Sequence, residues 1–164
     1  MDYFIYYNSP IGRLTIVSNP KNITHLFLEV EHFDAYRTDH DVREHNEYDV
    51  LIKAKNQLHE YFHEGRKDFE LAFEINGTDF QRKVWKELQN IPYGESCSYQ
   101  DIATKIGQAR AVRAIGQANK ANKLPIFIPC HRVIGKNKKL TGYAGNKNDI
   151  KAELLTLESI TFKK

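Results

Sequence analysis

The feature that most limits how this chain can fold is the break at Asn76-Gly77, where the sign of its charge reverses. Residues 1–76 hold 8 Lys+Arg against 14 Asp+Glu, and residues 77–164 hold 16 against 7, so the net charge runs from −6 to +9. Each half is long enough to enclose a small core, which predicts an N-terminal domain over 1–76 and a C-terminal domain over 77–164. A basic half fits a polyanionic partner for that half alone; the plain alternative is a lysine-rich solvated surface. No apolar stretch is long enough to span a bilayer, and Met1-Asp2-Tyr3-Phe4 lacks the basic-then-apolar layout of a signal peptide. Membrane binding is therefore not expected. With two cysteines, Cys97 and Cys130, no disulfide framework is implied, and a reducing cytoplasmic setting is the expectation.

In the acidic half, Tyr3–Tyr7, Leu14–Val17 and Ile23–Leu28 are β-rich runs separated by Asn8-Ser9-Pro10-Ile11-Gly12 and Asn19-Pro20-Lys21-Asn22, the pattern of an antiparallel meander. Glu29–Tyr48 is polar with little periodicity and reads as loop. Val50–His63 repeats Leu51, Ala54, Leu58, Tyr61 and Phe62 at helical steps. Its His59-Glu60-Tyr61-Phe62-His63 matches the H-E-x-x-H zinc pattern in form. No third ligand is evident, and a solvated histidine face explains the match equally simply. Phe69–Ile75 alternates as a half-buried strand would.

In the basic half, Thr78-x-x-Gln81 and Ser98-x-x-Asp101 have the layout of helix-capping boxes. The first opens a helix carrying Phe80, Val84, Trp85 and Leu88; the second opens one running through Ile106. After Gly107-Gln108 a further helix spans Ala109–Lys120, so the pair reads as a helix-turn-helix or as an ordinary helical hairpin. Arg110, Arg113, Gln117, Asn119 and Lys120 suit contacts to phosphates and bases, and Ala111, Ala114, Gly116 and Ala118 allow close backbone approach. Asn148-Asp149 opens a closing helix with an apolar stripe of Ile150, Leu154, Leu155 and Leu157.

Ile126-Phe127-Ile128-Pro129-Cys130-His131-Arg132-Val133-Ile134-Gly135 sets a thiol beside an imidazole and a guanidinium, between apolar runs. Neighbouring cations or a base make a thiolate accessible, while a buried strand with an inert Cys130 is the other reading.

Phe80-Gln81-x-x-Val84-Trp85, Ile91-Pro92-x-Gly94, Ser98-Tyr99-x-x-Ile102-Ala103, Arg113-Ala114-Ile115-Gly116, Asn122, Ile128–Ile134, Gly142-Tyr143-x-Gly145 and Leu154-Leu155-x-Leu157-Glu158 follow in order. Together they resemble the O6-alkylguanine-DNA alkyltransferases (methylated-DNA–protein-cysteine methyltransferases), in their single-function form. Ser9-Pro10-Ile11-Gly12 and Gln57-Leu58-x-Glu60-Tyr61-Phe62 extend the resemblance upstream, and there His59 and His63 fall at positions the family leaves free. The departures are Lys123 after Asn122, Ala109 and Asn146, where Pro, Pro and Gly are commoner.

The resemblance implies an α+β chain: a small antiparallel-sheet, ribonuclease H-like N-terminal domain, then a winged helix-turn-helix-like C-terminal one. It implies a DNA repair protein that moves the alkyl group of O6-alkylguanine, with O4-methylthymine as a second substrate, onto Cys130 in one turnover. His131 would reach the thiol through a water and Glu158 would orient His131; adjacent side chains in an extended backbone point apart, which fits a relay. Tyr99 would donate to the departing O6, and Asn122 would brace the reactive turn. Tyr143, Ala144, Gly145 and the backbone of Val133 would line the guanine pocket. Arg113 would fill the stack left by the flipped base, and Ser98, Ala111, Ala114, Gly116 and Gln117 would face the minor groove of double-stranded DNA. No metal or other cofactor is called for, and a monomer is expected. A non-catalytic helix-turn-helix protein that binds damaged DNA is the rival from the binding class, and a Cys–His hydrolase the rival from the enzymes.

Overall fold

A computed structural model describes residues 1–140 and 148–163. Its chain forms two compact units, Met1–Ile75 and Asn76–Lys164. Gly142, Tyr143, Ala144 and Gly145 lie outside the described residues.

In the first unit β1 (Asp2–Ser9) and β2 (Gly12–Ser18) form a hairpin whose turn is fixed by chemistry. Ser9 Oγ donates to Gly12 O and accepts from the Ile11 amide, and Gly12 sits at φ +113, where glycine lacks the Cβ clash. β3 (Ile23–Phe27) pairs antiparallel with β2, and β4 (Val42–Glu44) pairs parallel with β1, giving the order β3-β2-β1-β4. The sheet is therefore mixed rather than a purely antiparallel meander. Alternation in β1 divides its side chains between two faces. Phe4 joins Val17, Phe33 and Val42 on one face; Tyr7 meets Phe62 of helix α2 (Asp49–His63) on the other.

Two expectations fail here for physical reasons. The 29–48 stretch contains α1 (Val30–Asp39) and β4 rather than loop. Only Phe33 of α1 is buried, so the helix has almost no apolar stripe to reveal it, and packing against the sheet supplies what periodicity does not. The 69–75 stretch is no strand but one parallel bridge, Ile23 to Phe73. The Gln57 side chain holds it instead, donating to Glu70 O at 3.2 Å and accepting from Glu70 N at 2.9 Å.

In the second unit α3 (Asp79–Leu88) opens with both capping-box bonds of Thr78 and Gln81 and buries Val84, Trp85 and Leu88. A two-residue strand β5 (Cys97–Ser98) leads into α4 (Tyr99–Lys105), capped by the reciprocal Ser98 and Asp101 bonds. Gly107, at φ +75, turns the chain toward α5 (Val112–Lys120). That helix starts three residues later than its composition suggests, because Ala111 N bonds Gln108 O and closes a turn. A 3-10 turn at Cys130–Arg132 precedes β6 (Val133–Ile134), which pairs parallel with β5, and α6 (Asn148–Leu157) closes the unit.

Candidate active site

The reactive stretch is held by its own backbone before any side chain acts. Phe127 N bonds Pro125 O at 2.9 Å across Ile126, a β-branched residue at φ +72, the geometry of the rare γ-turn. Three residues on, Pro129 (φ −79, ψ 64) is the centre of an inverse γ-turn in which Cys130 N reaches Ile128 O at 2.7 Å. Asn122 Nδ2 donates to Ile128 O at 2.9 Å while its Oδ1 accepts from Leu124 N, and Asn119 Nδ2 donates to Cys130 O at 3.3 Å. Asn119 and the 3-10 turn correct two sequence readings. Asn119 is 3% exposed and faces inward, not toward a partner. Cys130 and His131 lie in a helical turn, so the extended-backbone argument for their separation does not apply.

Cys130, His131, Arg132 and Glu158 are all buried. Glu158 Oε2 receives His131 Nε2 at 2.6 Å and Arg132 Nη2 at 3.2 Å; Oε1 receives Arg132 Nε at 2.8 Å and the Gly94 amide at 3.2 Å. These four donors fill the acceptor directions a carboxylate offers. Burial by itself would raise the Glu158 pKa, but the bonds and charge of His131 and Arg132 reverse this and hold it at about 2. Burial pushes the His131 pKa below its ordinary value, against the pull of Glu158. At neutral pH the pair is thus a carboxylate, made permanent by Arg132, and a neutral imidazole. Glu158 can only accept, so Nε2 carries the hydrogen and Nδ1 is the basic nitrogen.

Arg132 and Lys151 are missing from the sequence-predicted site. Lys151 is fully buried, donates to Val133 O at 2.7 Å, and lies 6.0 Å from the centre of the Tyr99 ring. Burial, partly opposed by Cys130, lowers its pKa to about 8. The signal was available in the register. Lys151, Leu154, Leu155 and Glu158 fall on one helical face and all are buried, whereas Ile150 and Leu157 of the expected stripe are only half-buried. Val133, expected at the guanine pocket, is buried with its carbonyl engaged by Lys151. Ser98 is occupied as the cap of α4, where it accepts from Asp101 N. Cys97 is half-buried, and burial followed by the Asp101 charge raises its pKa to about 11, far from a reactive thiol.

The outer face of α5 shows Arg113, Ala114 and Gln117 exposed, with Ile115 and Ala118 turned inward. Ala111, at its N-cap, is half-buried, and nothing lies within 4 Å of where a Cβ at Gly116 would be. At the histidine pair of α2, His59 and His63 have ring centres 4.6 Å apart, and His59 Nδ1 faces the Tyr7 hydroxyl at 3.4 Å. Among the described residues no group of three or more His, Cys, Asp or Glu is placed to hold a metal.

Family models of the 6-O-methylguanine DNA methyltransferases match the chain twice: the ribonuclease-like domain over residues 3–75 and the DNA binding domain over 79–160. The chain belongs to this family. Among relatives, the constitutive methylated-DNA–protein-cysteine methyltransferase of Bacillus subtilis is 52% identical over 163 residues, 99% of each chain. That of Methanosarcina barkeri is 44% identical over 157 residues, 95% of this chain and 96% of its own. The crystal structure of the Mycobacterium tuberculosis O6-methylguanine methyltransferase superposes with a TM-score of 0.88 at 39% identity, covering 100% of this chain and 97% of that one. The same organism's OGT in complex with DNA gives 0.83 at 40%, covering 96% and 91%. The α+β organisation, with a sheet domain followed by a mostly helical one, is that of these methyltransferases.

Proposed function

We propose that this chain repairs alkylated DNA as a methylated-DNA–protein-cysteine methyltransferase, taking the alkyl group from O6 of guanine onto Cys130. The observation that carries the proposal is the buried His131–Glu158–Arg132 cluster next to that thiol: a neutral base held at one nitrogen by a carboxylate that stays ionised. His131 takes the thiol proton at Nδ1, through a water. The sulfur then attacks the alkyl carbon, the carbon–oxygen bond breaks, and its electron pair goes to O6 of guanine. The Tyr99 hydroxyl donates to that oxygen, and the charged Lys151 beside the site favours the thiolate. The product is a thioether, so each molecule acts once.

DNA is the partner that the family's DNA binding domain takes. In the finer reading it is double-stranded DNA entered by α5 from the minor groove, which needs the damaged base flipped out at a cost of about a few kcal/mol. Arg113 fills the vacated stack; Ala114, Gly116 and Gln117 line the approach, with Ala111 and Ser98 at its border. Tyr143, Ala144, Gly145 and the Val133 backbone receive the guanine, and O4-methylthymine is a second substrate. Residues 1–76 form an N-terminal α/β domain and 77–164 the domain of DNA binding and chemistry, in a monomer working in the cytoplasm, where thiols stay reduced. No described helix is long and apolar enough to cross a membrane.

The test is incubation with O6-methylguanine duplex followed by mass mapping of peptides. A methyl on the Cys130 peptide, in one-to-one yield, is expected; an unmodified Cys130 with repaired or merely bound DNA would overturn the assignment.

A further inference from the structure

The turn Ile91-Pro92-Tyr93-Gly94-Glu95 between α3 and β5 touches the acid–base cluster at three points. Ile91 O accepts from Arg132 Nη1 at 2.7 Å, the Tyr93 ring lies under the guanidinium with its centre 5.7 Å from Arg132 Cζ, and the Gly94 amide donates to Glu158 Oε1 at 3.2 Å. Gly94 adopts φ +82, and a Cβ there would come within 3.5 Å of Glu158 O. We propose that this turn is a positioning clamp for the Cys130–His131–Glu158 chain, with Tyr93 and Gly94 as its working residues. This rests on the roles given above to those three residues.

Saturation of its acceptors is what fixes Glu158. A buried carboxylate with four donors has one orientation; with the fourth donor removed it can rotate, and its bond to His131 is no longer fixed. Arg132 fixes Glu158 through two nitrogens and is itself set by Ile91 O and the Tyr93 ring. The ring face adds a cation–π attraction to those hydrogen bonds and so favours one placement of the planar guanidinium. Tyr93 is half-buried with its ring against the Arg132 guanidinium, so it acts through Arg132 and Glu158. A loosened Glu158 stabilises the imidazolium less, so His131 becomes a weaker base and takes the thiol proton less readily.

The experiment is the single-turnover rate of Cys130 alkylation on O6-methylguanine duplex from about pH 5 to 9, for Tyr93→Leu, Tyr93→Phe and Gly94→Ala. Tyr93→Leu and Gly94→Ala are expected to slow the reaction about tenfold at neutral pH and move its acid limb downward by about one unit, with affinity for unmodified duplex unchanged. Tyr93→Phe, which keeps the ring face, restores the parent profile. An unaltered profile, or an equal loss at every pH with the limb in place, overturns the clamp. If Tyr93→Leu melts below the assay temperature, Gly94→Ala decides by the same criteria. Cys130→Ser is run alongside: persistent transfer there defeats the underlying reading, whereas lost transfer with silent turn variants defeats the clamp alone.

Discussion

Glu158 joins the stability of the fold to the state of its thiol. In the folded chain it stays ionised to about 2, below its ordinary 4.5. As pH falls, the unfolded chain takes up this proton first. The stabilisation is therefore whole above about 4.5 and disappears as pH drops toward 2. Denaturant unfolding over that window should show the decline in the parent and a flatter profile in Glu158→Gln. At neutral pH the same substitution leaves Arg132 buried without its counter-charge, and a loss of about 3–5 kcal/mol is expected by urea unfolding. Lys151 runs the other way. Its pKa of about 8, against 10.5, means that stability rises with pH between those values, and Lys151→Met should abolish the rise. Neither residue's burial shows in a residue-by-residue reading, because Lys and Glu are by default surface residues. Cys130 and His131 stood out by their adjacency. Arg132, next in line, was noticed as a neighbouring cation, but nothing local indicates that its partner lies 26 residues on.

Elements were legible in proportion to how much of their stability is local. Both capping boxes stand in the sequence and in the structure, since their bonds close within four residues. α1 was not legible, for its one buried side chain meets strands that no window includes. The same contrast explains Asn119 and Gln117, two apart on α5 and alike in chemistry: phase alone turns one to Cys130 O and the other to solvent. Asn122 is a direct test of how α5's exit supports the reactive turn. Asn122→Ala strips the side-chain donor from Ile128 O and should cost about 1–3 kcal/mol, measured by urea unfolding. Asn122→Asp, which keeps the acceptor to Leu124 N and loses the donor, should cost a similar amount.

At the scale of the whole molecule, the charge reversal at Asn76-Gly77 coincides with a change of task. The basic half holds the family's DNA binding domain, and beyond α5 it presents exposed Lys136, Lys138 and Lys139, with Lys163 bridged to Lys139. Affinity for duplex should fall steeply with salt. Lys136→Gln with Lys138→Gln should reduce the slope of log K against log salt by about 0.9 for each phosphate that the variant no longer neutralises, as read by fluorescence titration. Cys130 is only 1% exposed, pinned by γ-turns before it and by the amides of Asn119 and Asn122. A turnover enzyme needs a covalent intermediate that water can cleave. A thioether has no carbonyl or other activated carbon for water to attack, so a group acquired by Cys130 stays there. Such a protein is a reagent, and a cell's defence is then counted in molecules on hand, one for each lesion, rather than in rate.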